Sequence, residues 1–226
     1  MNDELAQILD RLSHSAGRRI LITGGATCED IDPVRFITNR STGKMGIAVA
    51  KAALALKMQP LLLLGAYAVN PPKNVPVVRF RSAADLLAKI TTAFTWCDAL
   101  VMTAAVADYT PATYAYSKIH KMDGDLTLRL KRTPDILKTL TRHPARREKR
   151  ICGFSLDTKM DLAEGREKMT RKKLEMLVVN TTAAFAVSDT SAVILTDRHE
   201  LPTPPGGTKY QLGKAILTHL FAPPAP

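Results

Sequence analysis

The chain has 226 residues, of which 46% are hydrophobic and 23% are charged, as is typical of a globular protein with one sizeable core. Its 32 basic and 21 acidic residues give a net charge of +11, which favours anionic partners, either small molecules or nucleic acid. No apolar run is long enough to span a bilayer and the acidic, amphipathic N-terminus does not resemble a secretory signal, so we expect a cytoplasmic protein without a membrane partner.

The first half of the chain alternates apolar strand patterns with helical patterns. These patterns predict a strand at 18–23, a helix at about 46–57, strands at 59–66 and 76–80, a helix at 82–94 with Ser82 as its N-cap, and a long buried strand at 98–107.

The second half predicts a polar loop at 108–125, a strand at 126–131, and a helix that begins with Thr133 as N-cap and Pro134 at N1. Strands follow at 149–156, 176–180 and 191–197, with a basic helix at about 161–173 and a last helix at 208–221. This order predicts a three-layer α/β fold with a mainly parallel, Rossmann-like sheet and helices on both faces. We expect an N-terminal helical extension at 1–17, a single domain at 18–221 and a disordered tail at 222–226.

In such folds ligands bind beyond the carboxyl ends of the strands, which here are predicted at 24–25, 65, 104–108, 153–154 and 180. The segment "NRSTGKMG" (39–46) stands before the first long helix. It is not a Walker A loop, because Thr38 and Met45 occupy positions that need Gly and Ser or Thr. The GxxG pair Gly43 and Gly46 can hold an anion against backbone N–H groups and the helix dipole; simple helix capping is the alternative.

Four charged residues are further candidates. Asp108 follows the most buried strand and suits a ribose hydroxyl or Mg²⁺, or else caps its own turn. Lys118 lies in the polar loop "SKIHKMDG", where a lysine can fold over a polyphosphate or stay solvated. Lys168 and Lys172, four residues apart on one helix face, can likewise meet phosphates or water.

The three cysteines, Cys28, Cys97 and Cys152, are widely spaced and form no metal signature, so we expect reduced and mostly buried thiols. A nicotinamide-dependent oxidoreductase is one alternative function, but the second strand ends in "LLLLGAYAVN" without the acidic residue that binds a ribose. A basic nucleic-acid-binding protein is another, and the spread charge and 5% aromatic content weigh against it.

Six motifs together, "ITGGATCEDIDPVRFITNRSTGKMG", "TAAVADY", "SKIHK", "TPDIL", "GFSLDT" and "VVN", occur in the order found in phosphopantothenate–cysteine ligases. The resemblance runs from about Ile20 to Phe221 and implies an enzyme of coenzyme A biosynthesis with a modified Rossmann fold. It implies ligation of 4'-phosphopantothenate to L-cysteine through an acyl-cytidylate, with release of pyrophosphate and CMP. It also implies Mg²⁺ with CTP as co-substrate (ATP being the other nucleotide of the family) and a homodimer.

In many bacteria a flavin-dependent decarboxylase precedes this ligase. Because the first strand begins near the start of the chain, we expect a free-standing ligase without flavin, served by a separate decarboxylase.

The resemblance also implies roles by motif position. Asn39 and Lys118 would be the catalytic pair, and Arg35 would reach across the dimer to the substrate's phosphate. Substrate binding would involve Arg35, Asn39, Ala104, Ala105 and Asp108, and Asp108 is the candidate metal ligand with the nucleotide phosphates. The nucleotide site would comprise Gly24, Ser41, Gly43, Gly46, Asp108, Lys118, Pro134, Asp135, Ile136, Leu137, Phe154, Lys168, Lys172 and Asn180.

Three positions depart from the family pattern. His120 stands where bacterial relatives have Lys in a KxKK loop, Thr133 where they usually have Asn, and Asp157 where they have Glu. The first lowers the charge of the loop and the second touches the expected base pocket.

Overall fold

The computed structural model describes residues 3–121, 123–181, 192–197, 199–202 and 207–222. Its strands are β1 (Arg19–Gly24), β2 (Cys28–Asp30), β3 (Phe36–Thr38), β4 (Gln59–Gly65), β5 (Val77–Phe80), β6 (Ala99–Met102), β7 (Tyr109–Pro111), β8 (Leu130–Arg132), β9 (Arg150–Asp157), β10 (Met176–Thr181), β11 (Ala192–Thr196) and β12 (Glu200–Pro202). Its helices are α1 (Asp3–Ser13), α2 (Lys44–Ala55), α3 (Ala83–Phe94), α4 (Ile136–Leu140), α5 (Leu162–Lys172) and α6 (Lys209–Leu220), with a 3₁₀ turn at Pro144–Glu148.

Eight of these strands form one central sheet in the order β12-β11-β10-β9-β6-β1-β4-β5. The strands from β10 to β5 run parallel, whereas β11 and β12 add an antiparallel edge. The predicted mainly parallel sheet is therefore confirmed. Its central strands contain long apolar runs because both of their faces are covered.

Alternating residues of the sheet feed two separate cores, as the two-residue period of a strand requires. Leu21, Leu61 and Leu63 join the core under α1, α3, α4 and α5. Ile22 and Leu62 join the opposite core under α2 and α6. The result is the predicted three-layer α/β arrangement.

The predicted strand at 98–107 is too long, because β6 ends at Met102. After Met102 the chain leaves the path of β6, and two hydrogen bonds hold it against β1. Thr103 Oγ1 donates to the Thr23 carbonyl (2.6 Å), and Ala104 N–H donates to Thr23 Oγ1 (3.1 Å). Ala105 forms only an isolated bridge with Ala26. The apolar run to 107 therefore lines a loop rather than extending the sheet. By contrast, the strand predicted at 149–156 is confirmed to within one residue at each end as β9, so its carboxyl end lies at Asp157 rather than at the expected 153–154.

The polar region at 108–125 is not entirely a loop, since β7 lies within it and pairs with β8. The strand predicted at 126–131 is likewise misplaced, as β8 begins only at Leu130. A hairpin of β2 and β3 that the sequence patterns did not predict follows β1. Each of these strands has three residues, too few for a two-residue alternation to be recognisable.

The start of α4 also differs from the prediction. Asp135, rather than Thr133, is its N-cap and accepts the Lys138 N–H. Thr133 instead donates its hydroxyl to the Ala107 carbonyl at 2.6 Å. Thr133 therefore bonds a distant chain segment instead of capping α4. The cap predicted at Ser82 is confirmed, because its hydroxyl accepts the Asp85 N–H.

All three cysteines are buried and free, as expected. Burial raises the pKa of the Cys97 thiol to about 12, so it stays protonated at neutral pH.

At the N-terminus, α1 packs against the core through the buried Leu5. Residues 223–226 of the expected disordered tail lie outside the described residues. No helix among the described residues combines the length and apolarity needed to cross a membrane.

Candidate active site

The N-terminus of α2 lies against the carboxyl end of β1. A Cβ on Gly46 would be 2.8 Å from the Thr23 carbonyl oxygen and 2.9 Å from the Gly24 Cα, so only glycine permits this approach. Gly43 is the N-cap with φ +81°, and no side chain caps the helix. Ser41 and Thr42 therefore do not cap α2 through their side chains. The predicted Gly24, Gly43 and Gly46 come together here.

Asn39 lies beside the loop that leaves β6. Its Nδ2 donates to the Ala105 carbonyl at 3.3 Å. The same carbonyl accepts the Thr27 N–H (3.2 Å), and Ala105 N–H donates to the Gly25 carbonyl (2.8 Å). These bonds place the exposed amide of Asn39 next to the backbone of Ala105. Ser41 is half-buried in the same segment.

A cleft of about 590 Å³ opens beside the carboxyl ends of β6 and β9. Nine predicted site residues line it: Ala104, Asp108, Pro134, Asp135, Ile136, Leu137, Phe154, Lys168 and Lys172. Six further residues complete its wall: Met102, Val106, Tyr109, Arg132, Thr133 and Lys138. Of these, only Thr133 was expected near the base pocket, as a departure from the family pattern. The cleft thus joins an apolar wall to a group of cations.

Lys168 projects from α5 into this cleft. Its Nζ donates to Ser155 Oγ (3.1 Å) and to the Phe154 carbonyl (3.4 Å). Burial, together with the nearby Lys172 charge, lowers the pKa of Lys168 below the ordinary lysine value. A bound anion would relieve this repulsion, which makes the position suitable for a phosphate.

Lys172 forms an ion pair with Asp135, with Nζ and Oδ1 3.0 Å apart. Burial on its own raises the pKa of Asp135, but the Lys138 N–H and the Lys172 ammonium outweigh it and hold the pKa below the ordinary value. Asp135 therefore fixes both the first turn of α4 and the lysine of α5. The two helices form one rigid side of the cleft.

Three predicted residues belong neither to the lining of the cleft nor to the group around Asn39 and the start of α2. Lys118 is exposed in the segment between β7 and β8. Arg35 contacts the carboxylate of Asp32 and the Ile119 carbonyl of its own chain. Asn180 is the residue before the last one of β10, and its Oδ1 accepts the Thr181 N–H at 2.8 Å. In this structure these side chains are not gathered with Lys168 and Lys172.

Tyr109 and Arg132 had no local signal, because they are paired across β7 and β8, two three-residue strands that stand far apart along the chain. Thr103 had none either, because its position against Gly46 depends on a contact between distant segments.

The chain is similar to a known family and to several known proteins. Residues 15–222 match the family described as DNA/pantothenate metabolism flavoprotein C-terminal domain. The coenzyme A biosynthesis bifunctional protein CoaBC of Bacillus subtilis (strain 168) is 41% identical over 169 residues, which are 74% of this chain and 41% of that protein. The corresponding protein of Mycobacterium tuberculosis (strain CDC 1551 / Oshkosh) is 39% identical over 209 residues, 84% of this chain and 50% of that one. The chain thus spans about half or less of the length of these relatives.

Solved structures are similar over more of their length. The C-terminal domain of a coenzyme A biosynthesis bifunctional protein CoaBC has a TM-score of 0.77 and 34% identity, over 90% of this chain and 94% of that chain. A Cab2 mutant in complex with phosphopantothenate-cysteine has a TM-score of 0.77 at 14% identity, over 96% of this chain and 92% of that one, and shares the fold.

Proposed function

The chain belongs to the DNA/pantothenate metabolism flavoprotein C-terminal domain family, and from this premise we propose that it is a ligase of coenzyme A biosynthesis that joins 4'-phosphopantothenate to L-cysteine. The family resemblance predicted from the six motifs is confirmed by this match. The observation that carries the proposal is the cleft in which nine of the residues expected from the motifs meet at the carboxyl edge of the sheet. Relatives named for coenzyme A biosynthesis support it.

A carboxylate does not react with an amine until its oxygen becomes a better leaving group. We propose that the carboxylate of 4'-phosphopantothenate attacks the α-phosphate of CTP, forming a P–O bond as pyrophosphate leaves. The amine of cysteine then attacks the acyl carbon, an amide bond forms, and CMP leaves with the former carboxylate oxygen. Such a reaction depends on positioning and charge stabilisation rather than on a protein nucleophile.

The nucleotide is proposed to lie along the cleft and the N-terminus of α2. Phe154 and residues 134–137 would contact the base, and Lys168 and Lys172 the phosphates. The uncapped first turn of α2, with Gly24, Ser41, Gly43 and Gly46 around it, supplies N–H donors suited to a further phosphate. Asn180 is proposed to complete this site from the end of β10.

The acyl partner is proposed to lie where the β6 loop meets Asn39. The Asn39 amide can hold the acyl oxygen beside Ala104 and Ala105, since it already reaches the Ala105 carbonyl. Lys118, extending from its exposed segment, would offset the charge that develops on the phosphates. Arg35 would bind the substrate's phosphate across a homodimer.

Mg²⁺ is the metal that this reaction class implies. Asp108 is exposed at the cleft, and among the described residues its carboxylate accepts no hydrogen bond, so it fits a cation that takes one or two carboxylates plus phosphate oxygens. Bound there, the metal would supply charge neutralisation for the nucleotide. Asp108 would hold it, and the cluster of Lys168 and Lys172 would bind the remaining phosphate charge.

Nucleotide choice and partners complete the proposal. CTP is proposed over ATP from the resemblance of "STGKMG" and "SKIHK" to bacterial relatives, with His120 and Thr133 as the departures that most affect this choice. We propose that this segment binds no flavin and that a separate decarboxylase carries out the next step. Neither an oxidoreductase nor a nucleic-acid-binding protein is favoured by the family match.

The direct test is pyrophosphate release by the purified protein with Mg²⁺, 4'-phosphopantothenate and either CTP or ATP, with and without cysteine. Release with CTP that requires the pantothenate compound is the expected result. Release only with ATP would support the proposed ligase reaction but would contradict the choice of CTP. No release with either nucleotide from folded protein would overturn the proposed function.

A further inference from the structure

The segment that carries Lys118 is attached to the β2–β3 hairpin at two places: the Ala115 N–H donates to the Ile31 carbonyl (3.0 Å), and Ile119 is bound by Asp32 and Arg35. Asp32 Oδ2 accepts the Ile119 N–H at 3.1 Å, and Arg35 Nη2, itself bonded to Asp32, donates to the Ile119 carbonyl at 2.7 Å. Both polar groups of the residue after Lys118 are therefore bound by one ion pair. Among the described residues, no other hydrogen bond joins residues 116–121 to the rest of the chain.

The carboxylate that forms this attachment is held rigidly. The Asp32 side chain is fully buried and accepts the backbone N–H groups of Val34 and Arg35, both at 2.8 Å. The Arg35 guanidinium adds bonds from Nε (3.0 Å) and Nη2 (2.5 Å) to Oδ2. The Arg35 guanidinium and these N–H groups hold the pKa of Asp32 well below its usual range, so the group remains charged at neutral pH.

The geometry leaves part of Arg35 available. Its side chain is 41% exposed, and Nη1 has no acceptor among the described residues. Nη1 can therefore donate to an anion that approaches it while Nε and Nη2 stay on Asp32. A guanidinium with a fixed orientation loses less rotational freedom when it binds a phosphate.

We propose that Asp32 is a positioning residue of the ligase reaction, because it holds the guanidinium of Arg35 and the peptide of Ile119 at once and so sets where Lys118 stands relative to Arg35. The kinetic part of this inference rests on the proposed function, whereas the attachment itself rests only on the contacts. Breaking the attachment should release the Lys118 segment without disturbing Lys168 or the cleft.

Asp32→Asn is the test variant, and Asp30→Asn is the matched control. Asp30 lies on the same hairpin and forms a comparable ion pair with Arg81 (2.8 and 2.5 Å), but it makes no hydrogen bond to residues 112–121 among the described residues. Both substitutions remove one carboxylate charge that pairs with an arginine, although the Asp30 side chain is 32% exposed and the Asp32 side chain is fully buried. Only Asp32→Asn should alter the segment.

The first measurement is amide hydrogen exchange at Ile119 in the free, full-length protein. Loss of a hydrogen bond to a charged acceptor should speed exchange by about tenfold or more in Asp32→Asn, whereas Asp30→Asn should stay within about twofold of the wild type. Equal exchange in all three proteins would overturn the attachment. This readout needs no turnover, so it remains decisive even if the protein releases no pyrophosphate.

The second measurement is the kinetics of pyrophosphate release. Asp32→Asn should lower kcat about tenfold or more with the KM for CTP nearly unchanged, because Lys118 would act on charge that develops in the transition state. Ile119→Pro removes the loop-side N–H, and its ring also fixes φ at 119 and restricts the backbone of Lys118, while the Asp32–Arg35 pair stays in place. It should therefore show the same kinetic pattern. Unchanged kcat in both variants, with active wild type, would overturn the positioning role even if the exchange result holds.

Discussion

Gly46→Ala tests the close approach between α2 and β1. Alanine favours a helix over glycine by up to about 1 kcal/mol, so a helix considered alone would gain stability. In this fold the added methyl group would meet the Thr23 carbonyl oxygen at 2.8 Å and the Gly24 Cα at 2.9 Å, both of them backbone atoms that cannot rotate away. Overpacking of this kind costs about 1–3 kcal/mol. We therefore expect a net loss of roughly 1–2 kcal/mol in the free energy of unfolding.

Gly165→Ala is the matched control, because Gly165 also lies in a helix. Its added methyl group would meet Leu195 Cδ1 at 2.8 Å and Val179 Cγ2 at 3.1 Å, and side-chain tips can shift. The control should therefore lose less stability than Gly46→Ala. Urea unfolding of both variants measures the difference, and for a chain of this size each kcal/mol also corresponds to about 2–4 °C in Tm.

Stability of Gly46→Ala equal to or above that of the wild type would refute the reasoning, since it would mean that the helix and strand do not approach this closely. The site should respond in the same direction. Displacing the first turn of α2 moves the N–H groups proposed to hold a phosphate, so the KM for CTP should rise. A destabilised variant with unchanged KM would separate the packing of α2 from its proposed role in binding.

Three further predictions concern single charges. Lys118→Gln should slow pyrophosphate release about 100-fold or more while leaving Tm unchanged, because Lys118 is exposed; equal turnover would contradict its role. Since burial lowers the pKa of Lys168, the KM for CTP should begin to rise with pH below the ordinary lysine pKa of 10.5, and Lys168→Arg should flatten that rise; identical profiles would count against a phosphate contact. Burial raises the pKa of Asp98, but the Arg19 guanidinium and N–H outweigh it and lower the pKa overall, so its stabilisation is present above the ordinary carboxyl pKa and lost as pH falls through the lowered value. Asp98→Asn should therefore unfold more easily at neutral pH and depend less on pH in acid, as urea unfolding across that range would measure.

Part of the candidate site was predictable from the sequence. The residues that were predictable are those marked by a local spacing, and the rest depend on contacts between distant segments. Gly43 and Gly46 were identifiable because a GxxG spacing at a helix start has few purposes. Lys168 and Lys172 were identifiable as a pair because residues four apart share a helix face, and both line the cleft. What no spacing showed is that Asp135 joins Lys172 across 37 residues and so connects α4 with α5.

Two of the wrong predictions, the cap at Thr133 and the length of β6, have a common cause. Thr133 is a good N-cap in isolation, but its hydroxyl bonds the Ala107 carbonyl, which is 26 residues away. Similarly, β6 stops at Met102 because Thr103 bonds the carbonyl of Thr23, at a separation of 80 residues. In both places a contact between distant segments outweighed a local preference.

The sequence by itself determined the order of the longer strands and helices, the mainly parallel sheet, the buried cysteines and the glycines at the start of α2. These follow from periodicity, capping and backbone freedom, which act over a few residues. Only the tertiary structure decided that Asp32 is buried beneath Arg35, that it binds the peptide after Lys118, and that the cleft is walled by residues of α4, α5 and the β7–β8 pair. Those features depend on which loops meet once the sheet is assembled, and a charged side chain in a short loop carries no local signal of the partner it will meet.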